Sequence, residues 1–76
     1  MPKLPIIKDR QLIKALKELG FYENRQRGSH LIMVHADGRR TVIVIHSGRD
    51  IPRGTLKGIL KDLEISTEEF VRLLKK

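Results

Sequence analysis

With 76 residues, the chain can form one domain around one modest core and is too short to enclose a large cofactor. Sixteen Lys and Arg against nine Asp and Glu leave a formal charge of +7, which draws in polyanions, nucleic acid first among them. An acidic protein or an anionic membrane would satisfy the same charge. The absence of Cys removes disulfide frameworks, thiolate chemistry and most structural zinc designs, leaving three His as the side chains that titrate near neutrality unaided. The longest apolar runs, residues 42–45 and the equally long 31–34, are too short for a membrane span or a signal-peptide core. The expectation is therefore a single cytoplasmic domain over residues 1–76 with no membrane partner.

Residues 1–8 carry Pro2 and Pro5 and should enter extended. Leu12, Ile13, Leu16 and Leu19 recur at helical spacing, with Asp9 placed as N-cap and Gly20 placed to stop the helix. Residues 21–25 read as a short strand, followed by a polar, basic stretch ending at Gly28. Residues 29–35 form the second strand, Asp37-Gly38 the two-residue turn of a hairpin, and residues 40–46 the returning strand. Such a turn sets His30 opposite Ile45 and Ser29 opposite His46, with His30 on one face and His35 and His46 on the other. Residues 47–50 are a loop, and Pro52 suits the first turn of a helix carrying Leu56, Ile59, Leu60 and Leu63. Residues 66–69 spell a capping box that opens a last helix with Phe70, Leu73 and Leu74. The order is α-β-β-β-α-α, an α+β fold with helices on one face of a three-stranded antiparallel sheet. Both sheet faces are apolar in this register: Ile32, Val34, Ile43 and Ile45 on one, Leu31, Met33, Val42 and Val44 on the other. Helices can cover only one, and an uncovered apolar face marks a protein contact, with burial under the chain's own termini as the competing reading.

His30 has two readings. It is either an exposed strand residue behind a strand-entry glycine, or an acid–base group in a site where Gly28 admits a close backbone approach, Ser29 offers a hydroxyl or N–H, and Arg25 and Arg27 hold phosphate. RNA carries its own nucleophile, the 2′-hydroxyl beside each phosphodiester. Proton transfer by a histidine could then produce a 2′,3′-cyclic phosphate and a 5′-hydroxyl with no metal and no cofactor. Arg53, Gly54 and Thr55 at a helix N-terminus could grip the RNA backbone, and Arg39, Arg40 and Arg49 add basic surface nearby. Structural roles suit His35 and His46, which with Asp37 or Asp50 would still make a poor metal site.

The chain resembles the HicA toxins, small ribonucleases that pair with HicB antitoxins. The resemblance is carried by Leu16 through Gly20-Phe21, Gly28-Ser29-His30, His35 before Asp37-Gly38, a strand closing at His46, Gly54-Thr55-Leu56 with Ile59-Leu60, and Glu68-Glu69-Phe70. It implies a fold like the double-stranded-RNA-binding domain, α-β-β-β-α, here with an extra C-terminal helix. It also implies a monomeric stress-response toxin that cleaves mRNA through the histidine matching His30 and is neutralised by a HicB-type antitoxin, which would cover the apolar face and block His30. The alternatives are a non-catalytic double-stranded-RNA-binding module and a protein-interaction adaptor. One departure stands out: the family often has Pro two residues before the histidine closing the third strand, where this chain has Val44. That puts the backbone near His46 in question.

Overall fold

The computed structural model describes residues 3–45 and 48–75. The N-terminal segment is extended and adds a two-residue strand, β1 (Ile7–Lys8), paired antiparallel with β5 (Asp50–Ile51) in a small second sheet. Strands of two residues leave no alternation to read, so this pairing has no sequence signature. Lys8, still extended, takes the N-cap position expected for Asp9, and its N–H donates to Gln11 Oε1 at 2.9 Å. Asp9 is the first helical residue, 2% exposed, with Oδ1 accepting from the Arg10 N–H at 2.7 Å. Among the described residues no donor reaches its Oδ2.

Helix α1 (Asp9–Glu18) buries Leu12, Ala15 and Leu16 and ends as expected at Gly20, whose φ is +96°. Strand β2 (Phe21–Arg27) is longer than its sequence suggested, because the basic stretch continues it as an exposed edge. Only Phe21 of this strand is buried, so no apolar alternation announces the rest. A bulge between Glu23 and Arg25 leaves Asn24 without a partner in the ladder. Arg27 pairs with His30, so Gly28 and Ser29 alone turn the chain into β3 (His30–His35).

The second hairpin corrects the register. His35 N–H donates to the Arg39 carbonyl at 2.8 Å and Gly38 N–H to the His35 carbonyl at 2.9 Å, so the loop has three residues, 36–38, with Gly38 at φ +99°. This is a turn followed by a left-handed glycine, with the Asp37 carboxylate accepting from the Arg39 N–H at 3.0 Å. The extra loop residue slides β4 (Arg40–Val44) by one, so His30 faces Val44 and not Ile45. The Ser29 carbonyl accepts from the Ile45 N–H instead of Ser29 facing His46, which lies with Ser47 outside the described residues.

The slip sorts the apolar residues differently from the expectation. Leu31, Met33 and Ile43 are buried under the helices, while Ile32, Val34, Val42 and Val44 share the opposite face. His30 and His35 do lie on opposite faces. The ladder runs unbroken to Val44, whose N–H points away from β3 because the flanking residues 43 and 45 make the inward bonds. Proline at this position would cost no ladder bond, and valine keeps the strand regular.

Pro52 is the N-cap of α2 (Arg53–Asp62), one residue earlier than its expected first-turn place, and α2 lays Leu56, Ile59 and Leu60 into the core. Ser66 Oγ accepts from the Glu69 N–H at 3.1 Å and opens α3 (Thr67–Leu74), which anchors through fully buried Phe70. The result is the expected α+β architecture: a β2-β3-β4 antiparallel sheet with its core on the helical side, consistent with an α-β-β-β-α fold of the double-stranded-RNA-binding type.

Candidate nucleic-acid interface

The register and the bulge together set the open face of the sheet as three rows. Arg27, His30 and Val44 form the row at the Gly28–Ser29 end; Arg25, Ile32 and Val42 form the next; Tyr22, Val34 and Arg40 form the last. Side chains directly opposite in an antiparallel ladder project to the same side, so these nine share one surface. It holds three arginines and one histidine and no carboxylate. Glu23 belongs to the other parity and pairs with Lys17 at 2.7 Å. Tyr22 is 49% exposed, and Val42 and Val44 are also exposed large apolar residues.

His30 is the first residue after the tight turn and is exposed. Gly28 has φ +55°, with open space where a Cβ would stand, so backbone conformation is what selects glycine. That positive φ in the first loop position is the glycine-first arrangement of tight hairpins. Gln26 Nε2 donates to the Gly28 carbonyl at 3.1 Å, and the Ile45 N–H donates to the Ser29 carbonyl at 2.6 Å, so the turn is braced from both neighbouring strands. Arg27 flanks His30 across the ladder, and Arg25 lies one row away on the same face. Four of the sequence-derived candidates, His30, Arg25, Arg27 and Ser29, therefore come together around the turn at Gly28.

The remaining candidates separate. Thr55 lines a groove of about 360 Å³ along β4 with Val42, Val44, Arg49 and Pro52, and so shares a wall with the cross-strand neighbour of His30. Arg53 opens the other way, into a groove of about 400 Å³ with Lys3, Gly54 and Lys57, and its Nε donates to the Leu4 carbonyl at 2.8 Å. The two residues thus line different grooves.

His35 is held within the second hairpin. Its Nδ1 accepts from the Asp37 N–H at 3.0 Å, its ring meets Phe21 edge-on at 4.9 Å, and its Nε2 side packs against Gly20. Arg39 lies over Phe21 at 5.1 Å and donates to Asp37 Oδ2 at 2.8 Å and to the Leu63 carbonyl at 2.7 Å. Its charge is spent on tying the hairpin to the end of α2. The Arg39 backbone N–H, with help from its guanidinium, holds the Asp37 carboxyl below its ordinary value. Among the described residues, no three His, Asp or Glu side chains gather closely enough to hold a metal ion.

Tyr22 and the position of Arg40 were the features not assigned from sequence. The signal for Tyr22 was present: Phe21 must be buried next to the helix stop, and its neighbour in a strand must then face outward.

Among the described residues, the ladder positions on the open face of this small basic α+β domain hold one histidine, three arginines and no carboxylate, which suits the face to meeting a polyanion. Residues 10–65 match the family described as the HicA toxin of bacterial toxin–antitoxin pairs, and the chain belongs to that family. No curated protein matches it. No helix among the described residues is long and apolar enough to cross a membrane.

Proposed function

We propose that this toxin is a cytoplasmic endoribonuclease that cleaves mRNA by histidine acid–base catalysis without a metal. The observation that carries the reading is the exposed His30 set beside Arg27 on a sheet face whose described ladder residues include no carboxylate. A phosphodiester placed over this row meets a guanidinium for its non-bridging oxygens and an imidazole for proton transfer. The 2′-hydroxyl gives up its proton and attacks phosphorus, the bond from phosphorus to the 5′-oxygen breaks, and that oxygen takes up a proton. The products are a 2′,3′-cyclic phosphate and a 5′-hydroxyl. His30 is assigned one of the two proton transfers, with Arg27, Arg25 and the Gly28–Ser29 turn holding the phosphate.

A HicB-type antitoxin is assigned to the same open face, where Val42 and Val44 leave apolar surface beside His30. Docking there removes the apolar patch from water and shuts the site in one step.

The test is His30→Ala. Purified wild type should cleave RNA in excess chelator and arrest growth when expressed, while the variant keeps its circular dichroism spectrum and RNA binding but loses both activities. Undiminished toxicity in the variant would overturn the assignment and favour a non-catalytic RNA-binding module.

A further inference from the structure

We infer that the open sheet face is a track for single-stranded RNA and that Tyr22 is its stacking post, positioning the strand whose phosphodiester lies at His30. The inference rests on the ribonuclease reading for its cleavage site but on separate residues for its argument. Tyr22 is the only tyrosine of the chain, tryptophan is absent, and its ring stands half exposed on the face that carries His30. A half-exposed aromatic on a sheet that already buries Phe21 does nothing for the core, yet supplies a flat apolar surface for a base.

The surroundings select the occupant. Between Tyr22 and His30 the surface is apolar at Ile32, Val34 and Val42 and cationic at Arg25, Arg27 and Arg40. Unpaired bases have apolar faces to lay on the former, and their phosphates reach the latter. A duplex shows its stacked bases only at their edges and presents hydrated phosphate to the valines and isoleucines, which gains little. An acidic protein, the antitoxin assigned to this face included, would meet the arginines and could cover the ring, so it would compete with RNA for the same track.

The distance fits a short strand. Tyr22 pairs with Val34, four residues along β3 from His30, which is about 14 Å with the step to the next strand included. A stacked strand advances about 3.4 Å per nucleotide, so about four stacked nucleotides, or fewer in an extended strand, cover this span. Tyr22 therefore acts away from the cleaved bond, on binding and register.

The sole tyrosine makes the test direct. Wild type is titrated with a 2′-O-methyl single strand, which cannot be cleaved, and with the duplex of the same sequence, following tyrosine emission corrected for RNA absorbance. The single strand should quench the emission and the duplex should not. On a cleavable single strand, Tyr22→Leu should raise KM about tenfold with kcat within about twofold, and Tyr22→Phe should restore wild-type KM. Unchanged emission at saturation, absence of single-strand binding, equal quenching by the duplex, or wild-type KM in Tyr22→Leu would each overturn the track. If emission is quenched and no RNA is cleaved, the track stands and the ribonuclease assignment falls. If RNA is cleaved through His30 while Tyr22 stays silent, the ribonuclease assignment stands and the track falls.

Discussion

Gly20→Ala should be among the most damaging single-methyl changes available to this chain. At φ +96° an L-residue is strained, at a cost of about 1–2 kcal/mol. The added Cβ would also stand 2.9 Å from His35 Nε2 and 3.3 Å from its Cδ2. That ring cannot swing away freely, since the Asp37 N–H holds its Nδ1 and Phe21 holds its edge. Displacing it weakens a hydrogen bond and an aromatic contact, each worth about 0.5–1.5 kcal/mol. The lower unfolded-state entropy of alanine returns about 0.4–1 kcal/mol. The net loss is about 2–3 kcal/mol, or about 10–20 °C in Tm for a domain of this size. Thermal and urea unfolding followed by circular dichroism measure it. Gly38→Ala is the control, because Gly38 has φ +99° and open space around it, so only the backbone penalty applies. Placing Gly20→Ala in a His35→Ala background should remove the steric part and leave a coupling of about 1–2 kcal/mol. If Gly20→Ala costs no more than Gly38→Ala, or the same in both backgrounds, the steric argument is wrong.

Arg27→Ala should weaken RNA binding and slow cleavage about tenfold or more, whereas Arg53→Ala, which opens into a different groove, should change cleavage far less. Steady-state kinetics on one RNA compares them, and equal losses would mean that the substrate wraps both sides of the molecule. Asp37 titrates below its ordinary 3.8 in the folded chain, so its stabilising effect is complete above that value and is lost as pH falls through the lower folded value. Asp37→Asn should therefore lower stability at neutral pH and flatten the acid limb of a Tm profile below about pH 4. An unchanged limb would show that the turn does not depend on the charge. Phe70→Ala should cost about 3–5 kcal/mol and leave α3 undocked, seen as a lower and broader melting transition. A loss below about 1 kcal/mol would mean that α3 contributes little to the fold.

Both helix–core stripes were legible because Leu12 and Leu16, and then Leu56, Ile59 and Leu60, repeat at the helical period and are buried as that period requires. Gly20 and Ser66 were legible because a left-handed stop and an N-cap each have a residue-type signature. The strand register was not. Asp37-Gly38 is compatible with a two-residue turn and with a three-residue loop ending in a left-handed glycine. The observed loop is the three-residue one, in which the Asp37 side chain caps the Arg39 N–H. The one-residue difference in loop length decides which face of the sheet Val42 and Val44 join. The candidate site was legible in part: His30 and Arg27 are close in sequence and meet across a tight turn, whereas Arg53 and Thr55 are close in sequence and diverge because residues two apart on a helix project from nearly opposite sides.

The sheet presents its candidate site on one side and its packing on the other. His30, Arg25, Arg27 and Tyr22 are exposed, and none belongs to the cluster built from Leu12, Leu16, Leu31, Met33, Leu56 and Phe70. Harm and foldedness are thus written in separate sets of codons. If His30 carries the cleavage as proposed, a cell under pressure from this toxin has a short mutational path to relief through a single base change at that codon. Because His30 lies outside the core, such a change should leave the chain folded, so disarmed copies should persist as intact reading frames and not as debris.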